Sequence, residues 1–193
     1  FAACSTGVCV RDDFSAQTFT GSSGSLSWGG NWAEVGDNNN AATGKLSVQT
    51  AGTPQYLYLD GDQSGAAAGN GWVRCVGVFP SNAQAGSLTV KTEVWSAIGN
   101  NDDAVIQYAQ ASSATSCGTA PTAWTTAATV SASQTQWTAL SASLPDSLRG
   151  NYFWIKIGLG NGIENTDFHA FNFIEVSYLS PLSVELAEFH ASQ

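Results

Sequence analysis

Residues 87–95 have the sequence SLTVKTEVW, and this stretch decides the class of fold. Leu88, Val90 and Val94 alternate along it with polar residues such as Lys91. Successive side chains on a β-strand point to opposite faces of a sheet, so the alternation predicts a strand with one buried and one solvated face. The stretch therefore indicates an antiparallel sheet that packs on a core through one side.

The stretch YFWIKIGL, residues 152–159, has apolar residues on both faces and predicts a central strand that is covered on both sides. Other short apolar runs are bounded by Gly, Asn, Ser or Pro, and helix signals are almost absent. Together they predict an all-β fold, a two-sheet antiparallel β-sandwich of jelly-roll type with about ten strands. The predicted strands are 8–14, 31–35, 45–50, 55–60, 72–79, 87–95, 104–109, 136–141, 152–159 and 170–178.

The chain has 193 residues, which suits one domain with a substantial core. We expect the sandwich to occupy residues 1–179 and residues 180–193 to form a separate extended tail. The tail carries an amphipathic run after Pro181, and it is predicted to be a last strand, a linker or a strand donated to another subunit. Its predicted assembly contacts are Val184, Leu186 and Phe189.

Fifteen acidic residues against six basic ones give a net charge of −9. This charge argues against nucleic-acid binding, which needs a basic surface, and against attachment to anionic lipid. No apolar run approaches the ~20 residues of a membrane-spanning helix, so no membrane insertion is expected. Charged residues make up only 11% of the chain, and such a surface is typical of extracellular fibres and adhesins.

Four cysteines allow three disulfide pairings. Their spacing favours Cys4–Cys9 as a small local loop and Cys75–Cys117 as a link from a central strand to a long loop. Zinc is the alternative, but this spacing is a poor pattern for zinc ligands. Disulfides form in oxidising compartments, so we expect the protein to be secreted or held at the cell surface.

A set of stretches in a fixed order resembles a known group of domains. They are RDDF at 11–14, LSWGGNWAEVG at 26–36, YLYL at 56–59 with WVRCV at 72–76, and FNFIEV at 171–176. The order resembles bacterial extracellular jelly-roll modules related to MAM-like and carbohydrate-binding sandwich domains. Such modules occur in pilus-associated and surface adhesion proteins. The resemblance implies the sandwich fold over residues 10–179.

One candidate metal site lies in the run DGDQSG, residues 60–65. Asp60 and Asp62 place carboxylates at alternate positions, as the first half of a calcium loop does. The expected glutamate at the twelfth position is missing, because Gly71 stands there. A polar turn between two strands is the alternative interpretation.

The resemblance implies a second metal site, since jelly-roll binding modules often hold a structural calcium ion between the first and last strands. The matching positions here are Asp12 or Asp13 together with Asp167 or Asn172. An amide oxygen at Asn172 can still bind calcium. Solvent-facing positions beside Arg11 are the alternative for the two N-terminal aspartates.

Seven tryptophans are the main indication of a ligand. Large aromatic residues fill sandwich cores, and Trp72, Trp137 and Trp154 are predicted to do so. An exposed indole can instead stack on a sugar ring. Trp95 and Trp124 are the candidate carbohydrate-binding residues, with burial in the core or in an interface as the alternative.

Catalytic motifs are lacking. The two histidines, His169 and His190, are not near a nucleophile motif, and no phosphate loop or metalloprotease motif is present. The sequence therefore predicts a non-catalytic extracellular structural or adhesive protein. We expect it to assemble with copies of itself or other surface proteins into a filament by strand donation. The alternative is a carbohydrate-binding module that binds glycans and holds a structural calcium ion.

Overall fold

The computed structural model describes residues 4, 8–60, 67–79, 83–98, 103–113, 115–160 and 167–179. These residues form short strands and one short 3-10 helix, Asp146–Leu148. The strands are β1 (Val8–Asp12), β2 (Ala33–Val35), β3 (Leu46–Gln49), β4 (Tyr56–Asp60), β5 (Gly71–Val78), β6 (Thr89–Ala97), β7 (Ala104–Gln110), β8 (Thr125–Val130), β9 (Thr138–Ser143), β10 (Tyr152–Leu159), β11 (Phe168–Phe171) and β12 (Ile174–Tyr178).

The strands form two antiparallel sheets that enclose one main core. The five-stranded sheet has the order β2-β5-β10-β7-β8. The seven-stranded sheet has the order β1-β12-β6-β11-β4-β3, with β9 paired to β6 beside this path. The predicted all-β sandwich of jelly-roll type is therefore confirmed.

The alternation that predicted the fold is confirmed in β6. Val90 and Val94 are buried in the core, and Trp95 on the opposite face has 38% of its surface exposed. In β10, every residue after Tyr152 is buried, as the prediction of a doubly covered central strand requires. The strand lies between β5 and β7, so its backbone is paired on both edges.

Two features of the strand pattern differ from the prediction. The strand β8 was missed because its sequence, TTAATV, carries a single larger aliphatic residue. Among the described strands it lies at the edge of its sheet, paired with β7. The predicted strand 170–178 is two strands, β11 and β12, which pair with successive parts of β6. The break lies at Asn172, whose N–H donates to the carbonyl of Glu93.

The tryptophans predicted to fill the core have different positions. Trp72 lies in the main core with no exposed surface, as predicted. Trp154 is buried, but in a small second cluster with Val73 and Cys75. The prediction for Trp137 is wrong, because its ring lies half-buried beside Trp95, on the outer side of the seven-stranded sheet.

A buried ion pair connects the two sheets. Arg74 on β5 donates from Nη1 to Oδ2 of Asp12, at the end of β1, at 3.0 Å, and both residues have only 2% of their surface exposed. Burial lowers the pKa of Arg74 to about 10 and raises the pKa of Asp12 above its ordinary value. A buried charge pair is tolerated only when its remaining donors and acceptors are also bonded.

The surrounding loop supplies these bonds. The Nε of Arg74 donates to the carbonyl of Gly30 at 2.7 Å. Asp12 accepts from the indole N–H of Trp32 at 2.8 Å and from the backbone N–H of Phe14 at 2.9 Å. The guanidinium also lies 4.6 Å from the ring centroid of Trp28, within the range of a cation–π contact. The stretches 11–14 and 26–36 are thus joined by one polar network.

The assembly tail cannot be compared with the structure, since Val184, Leu186 and Phe189 lie outside the described residues. Strand donation by residues 180–193 therefore stays a prediction. Among the described residues, no helix has the length and apolar character needed to cross a membrane.

Replacing Asp12 by Ala will leave the guanidinium of Arg74 buried without its counter-charge. We expect this change to lower the free energy of unfolding by about 3–5 kcal/mol, measured by urea denaturation. The double variant Asp12→Leu, Arg74→Met should lose less than Asp12→Ala. Asp146→Ala, which breaks the more exposed pair with Arg149, should cost at most about 1 kcal/mol. A loss for Asp12→Ala no larger than that for Asp146→Ala would contradict the role of the buried pair.

His169 gives a second test. It is buried on β11 with its Nδ1 3.0 Å from the hydroxyl of Ser96, and desolvation lowers its pKa from 6.5 to about 4. The folded chain therefore keeps His169 neutral at pH values where the unfolded chain protonates it. Stability from this residue is complete above pH 6.5 and falls by up to about 3 kcal/mol as the pH drops to 4.

The measurement is the unfolding free energy of wild type and of His169→Asn across that pH range. All other titrating groups are common to both proteins, so their contributions cancel in the difference. We expect the gap between the two proteins to narrow as the pH falls. A gap independent of pH would show that His169 titrates normally in the folded state.

Candidate ligand-binding cleft on the five-stranded sheet

The outer face of the five-stranded sheet carries a row of side chains from four neighbouring strands. Val73 on β5 lies opposite Lys156 on β10, which lies opposite Gln107 on β7, which in turn pairs with Thr126 on β8. Ile155 and Ile157 flank Lys156 in sequence and belong to the main core. Because neighbouring residues on a strand face opposite sides, the row of Lys156 points away from that core.

The next row of residues on this face contains two glycines, so no side chains rise from the sheet there. Gly71 and Gly158 pair across β5 and β10. A Cβ atom built on either glycine would lie 3.0 Å from the Cε atom of Lys156 and nearer still to backbone atoms. The missing side chains thus leave the space in which the aliphatic part of Lys156 lies.

A long loop between β7 and β8 forms one wall of this face. The disulfide Cys75–Cys117 attaches the loop to β5, and Cys4–Cys9 closes a short loop near the N-terminus, so both predicted pairings are confirmed. The indole N–H of Trp154 donates to the carbonyl of Cys117 at 3.0 Å. The loop is therefore held at two points before it reaches Trp124.

Trp124 stands between two depressions. The first, of about 450 Å³, lies over the sheet, and the second, of about 690 Å³, lies toward the 3-10 helix. Trp124 lines both of them. The polar and charged residues that line the first depression, called the cleft from here on, are Asp103, Gln107, Thr122, Thr126, Thr129 and Lys156.

Five aromatic rings form a closed circuit on the outer face of the seven-stranded sheet, called the aromatic platform below. Neighbouring ring centroids are 5.2–6.2 Å apart. Ala170 is flanked in the sheet by Tyr58 and Trp95, and its small side chain leaves the space between their rings. The five residues are Tyr56, Tyr58, Trp95, Trp137 and Phe168.

The seven tryptophans fall into two groups by the state of the indole N–H. Four are buried and donate it to an oxygen atom at 2.8–3.1 Å, namely Trp28, Trp32, Trp72 and Trp154. The others are Trp95, Trp124 and Trp137, each at least partly exposed. Within the described part of the chain, these three donate no hydrogen bond. Their rings therefore offer both an apolar face and an unused donor.

The two candidate carbohydrate residues do not share a site. Trp124 borders the cleft on the five-stranded sheet, while Trp95 belongs to the aromatic platform on the seven-stranded sheet. The sandwich thus has two separate surfaces with partly exposed indoles. Sequence reasoning missed Lys156 and Gln107. The available signal was Lys156 itself, the one charged residue in YFWIKIGL.

Three of the four residues predicted to hold calcium between the first and last strands have other partners. Asp12 is bound by Arg74, so a divalent cation there would meet a guanidinium group, and the donor set does not fit. Asp13 accepts from Arg11 Nε at 2.6 Å, and the Asn172 side-chain amide donates to Glu93 at 2.8 Å. These contacts form an ion-paired polar network that does not match the implied site, and a calcium ion between the first and last strands stays a prediction.

The other predicted ligands lie at a different end of the seven-stranded sheet. Asp60 is paired in register with Phe168, the neighbour of Asp167, while Asp62 lies outside the described residues. Among the residues that are described, no group of three or more His, Cys, Asp or Glu side chains is placed to hold a metal ion. A calcium ion near Asp60 stays a prediction.

No family profile and no curated protein matches the sequence. The fold is similar to that of the CBM22-1 xylan-binding domain from Paenibacillus barcinonensis Xyn10C, at a TM-score of 0.52 and 12% identity over 93% of this chain and 99% of that domain. It is also similar to the C-terminal family 22 carbohydrate-binding module of Clostridium thermocellum Xyn10B, at a TM-score of 0.51 and 14% identity over 89% of this chain and 95% of that module.

A third similar structure, the CBM22-1 and GH10 modules of the Clostridium thermocellum enzyme complexed with xylohexaose, is longer. The chain spans 28% of it, at a TM-score of 0.51 and 14% identity. The identities are low, so these likenesses show a shared fold. The chain has the sandwich fold of carbohydrate-binding modules, and the resemblance to pilus-associated modules stays a prediction.

The disulfide that holds the cleft wall provides a test. Replacing Cys75 and Cys117 by Ala releases a loop between residues 42 apart in sequence, which should lower the free energy of unfolding by about 4 kcal/mol. The matched control, Cys4→Ala with Cys9→Ala, opens a much shorter loop and should cost about 2 kcal/mol. Urea denaturation compares the two. Equal losses would contradict the assignment of the longer disulfide as the main covalent constraint.

Proposed function

We propose that this protein is a non-catalytic polysaccharide-binding module, which binds one glycan chain in the cleft of the five-stranded sheet. The observation that carries the proposal is the partly exposed indole of Trp124 beside a polar cleft. A sugar ring has an apolar face that stacks on an aromatic ring, and its hydroxyl groups need hydrogen-bond partners around that face. The cleft offers both kinds of contact.

The polar lining suits hydroxyl recognition. The side-chain amide of Gln107 donates to the hydroxyl of Thr126 at 3.3 Å, so its carbonyl oxygen is left to accept from a ligand. Thr129 and Thr122 add hydroxyl groups that both donate and accept. The cleft volume of about 450 Å³ lies within the usual range for small-ligand sites.

The charged groups of the cleft argue for binding rather than hydrolysis. Glycoside hydrolysis commonly uses two carboxyl groups on either side of the bond that is cleaved. Among the described residues that line the cleft, Asp103 is the one carboxylate. The fold likeness to a xylan-binding domain makes xylan a natural first ligand to test.

The aromatic platform supports a second glycan-binding surface. Its rings lie side by side on a sheet face, and Trp95 is exposed over 38% of its surface. A surface of this shape suits the flat side of a polysaccharide chain, whereas the cleft contacts a chain from its floor and from the loop at one side. The two surfaces face away from each other, so one module can contact two chains.

The two disulfides support a place outside the cell, because they persist in oxidising compartments. The filament hypothesis depends on the tail 180–193 and on strand donation. Electron microscopy of the purified protein, with and without residues 182–193, tests it separately. Filaments that disappear on truncation would support that function.

Retention on insoluble xylan and affinity electrophoresis in soluble glycans test the proposed function. Trp124→Ala should weaken binding at least about tenfold, or 1.4 kcal/mol, because it removes the stacking ring. Trp137→Ala tests the aromatic platform in the same assay, and Leu179→Ala, at an exposed apolar residue outside both surfaces, is the control that should leave binding unchanged. If Trp137→Ala weakens glycan binding and Trp124→Ala does not, the binding site is the aromatic platform and not the cleft. No binding by wild type across a broad glycan panel would refute the proposal.

A further inference from the structure

Lys156 occupies an unusual position for a lysine. It lies in the central strand β10 with only 5% of its surface exposed, and burial lowers the pKa of its ammonium group. Its one described electrostatic contact is with the ring of Trp124, whose centroid is 5.8 Å from Nζ. That distance is at the outer limit of a cation–π contact.

The other basic side chains with described contacts have closer polar partners. Arg11, Arg74 and Arg149 each form an ion pair with a carboxylate at 3.2 Å or less. Lys45 donates to the carbonyl of Gly36 at 3.2 Å. Among the residues that the structure describes, Lys156 has no carboxylate or carbonyl partner for its ammonium group.

A buried ammonium group without a partner is unfavourable for folding. The flanking residues Ile155 and Ile157 are apolar, and an apolar residue at position 156 would remove this cost. The charge of Lys156 therefore does not stabilise the fold. It borders the cleft, where a bound anion would supply the missing partner.

We propose that the cleft selects an acidic polysaccharide, whose sugars carry carboxylate or sulfate groups, and that Lys156 binds the anionic group. This inference rests on the proposed glycan-binding function. In this arrangement Trp124 stacks on the sugar ring while the ammonium group pairs with its acidic substituent. Gln107, which lies opposite Lys156 in the sheet, contacts the neighbouring hydroxyl groups.

The remaining charge in the cleft does not neutralise Lys156. Asp103 accepts a hydrogen bond at its backbone carbonyl from Gly160, four residues beyond Lys156 along the chain. The side chain of Lys156 extends along β10 over Gly158, on the side of Gly160, but no ion pair joins it to Asp103 among the described contacts. The chain as a whole carries a charge of −9, which repels acidic polymers. A preference for an acidic glycan must therefore come from a local cation.

The test compares Kd values for xylan carrying glucuronate groups, for polygalacturonate, for a sulfated glycan and for neutral unsubstituted xylo-oligosaccharides. Wild type should bind one acidic class at least tenfold more tightly than the neutral chain. Comparing the two carboxylate-bearing glycans with the sulfated glycan shows which of the two anionic groups is recognised. Lys156→Gln should lose at least tenfold more affinity for the acidic ligand than for the neutral one, and Lys156→Arg should retain part of the preference.

Two controls keep the result interpretable. Lys45→Gln removes a half-buried positive charge that does not line the cleft, and it should leave the preference unchanged. Lys156→Met replaces the lysine by an apolar residue of similar length, so its melting temperature should equal or exceed that of wild type, which separates misfolding from lost recognition. Equal binding of neutral and acidic chains by wild type, or a preference that survives in Lys156→Gln, overturns the inference alone. Failure to bind any glycan overturns the proposed function as well.

Discussion

The buried pair between Asp12 and Arg74 is the interaction on which the rest of the structure depends. It joins the first strand of the seven-stranded sheet to β5 of the five-stranded sheet. Two charges without water are stable only if every remaining polar atom is bonded, and the loop between β1 and β2 supplies these bonds through Trp32, Gly30 and Phe14. The pair and its hydrogen bonds therefore connect the loop to both sheets at one point.

Once the sheets are fixed, their outer faces differ because different elements cover them. A disulfide-anchored loop lies over part of the five-stranded sheet, and the two paired glycines lower the floor beside it. The result is a cleft with a floor of low side chains and the loop as its wall. The seven-stranded sheet instead exposes an open platform of aromatic rings. One fold thus presents a cleft bordered by a loop and an open aromatic surface.

The hydrogen bonding of the indole N–H distinguishes the tryptophans that fill the core from those that are candidates for ligand contact. An indole in the core must bond its N–H, and each of the four buried tryptophans does so within the protein. The three partly exposed indoles keep that donor for solvent or a ligand. Lys156 is similar in that its charged ammonium group has no carboxylate or carbonyl partner among the described residues. In both cases the unused bonding capacity, rather than the residue type, makes the residue a candidate for contact with a ligand.

The sequence by itself determined the fold class, most of the strands and the alternation along β6, because each depends on local periodicity. Spacing favoured the two disulfide pairings, and the structure contains them. It did not reveal β8, whose small residues give little signal, or the placement of Trp137 outside the core. Only the tertiary structure decided that Asp12 pairs with Arg74 and that Trp95 and Trp124 face opposite sides. Periodicity defines the two faces of a strand, but the contacts of each face depend on cross-strand register and on the covering loops. Register and loop contacts join residues far apart in the chain, so local sequence patterns do not predict them.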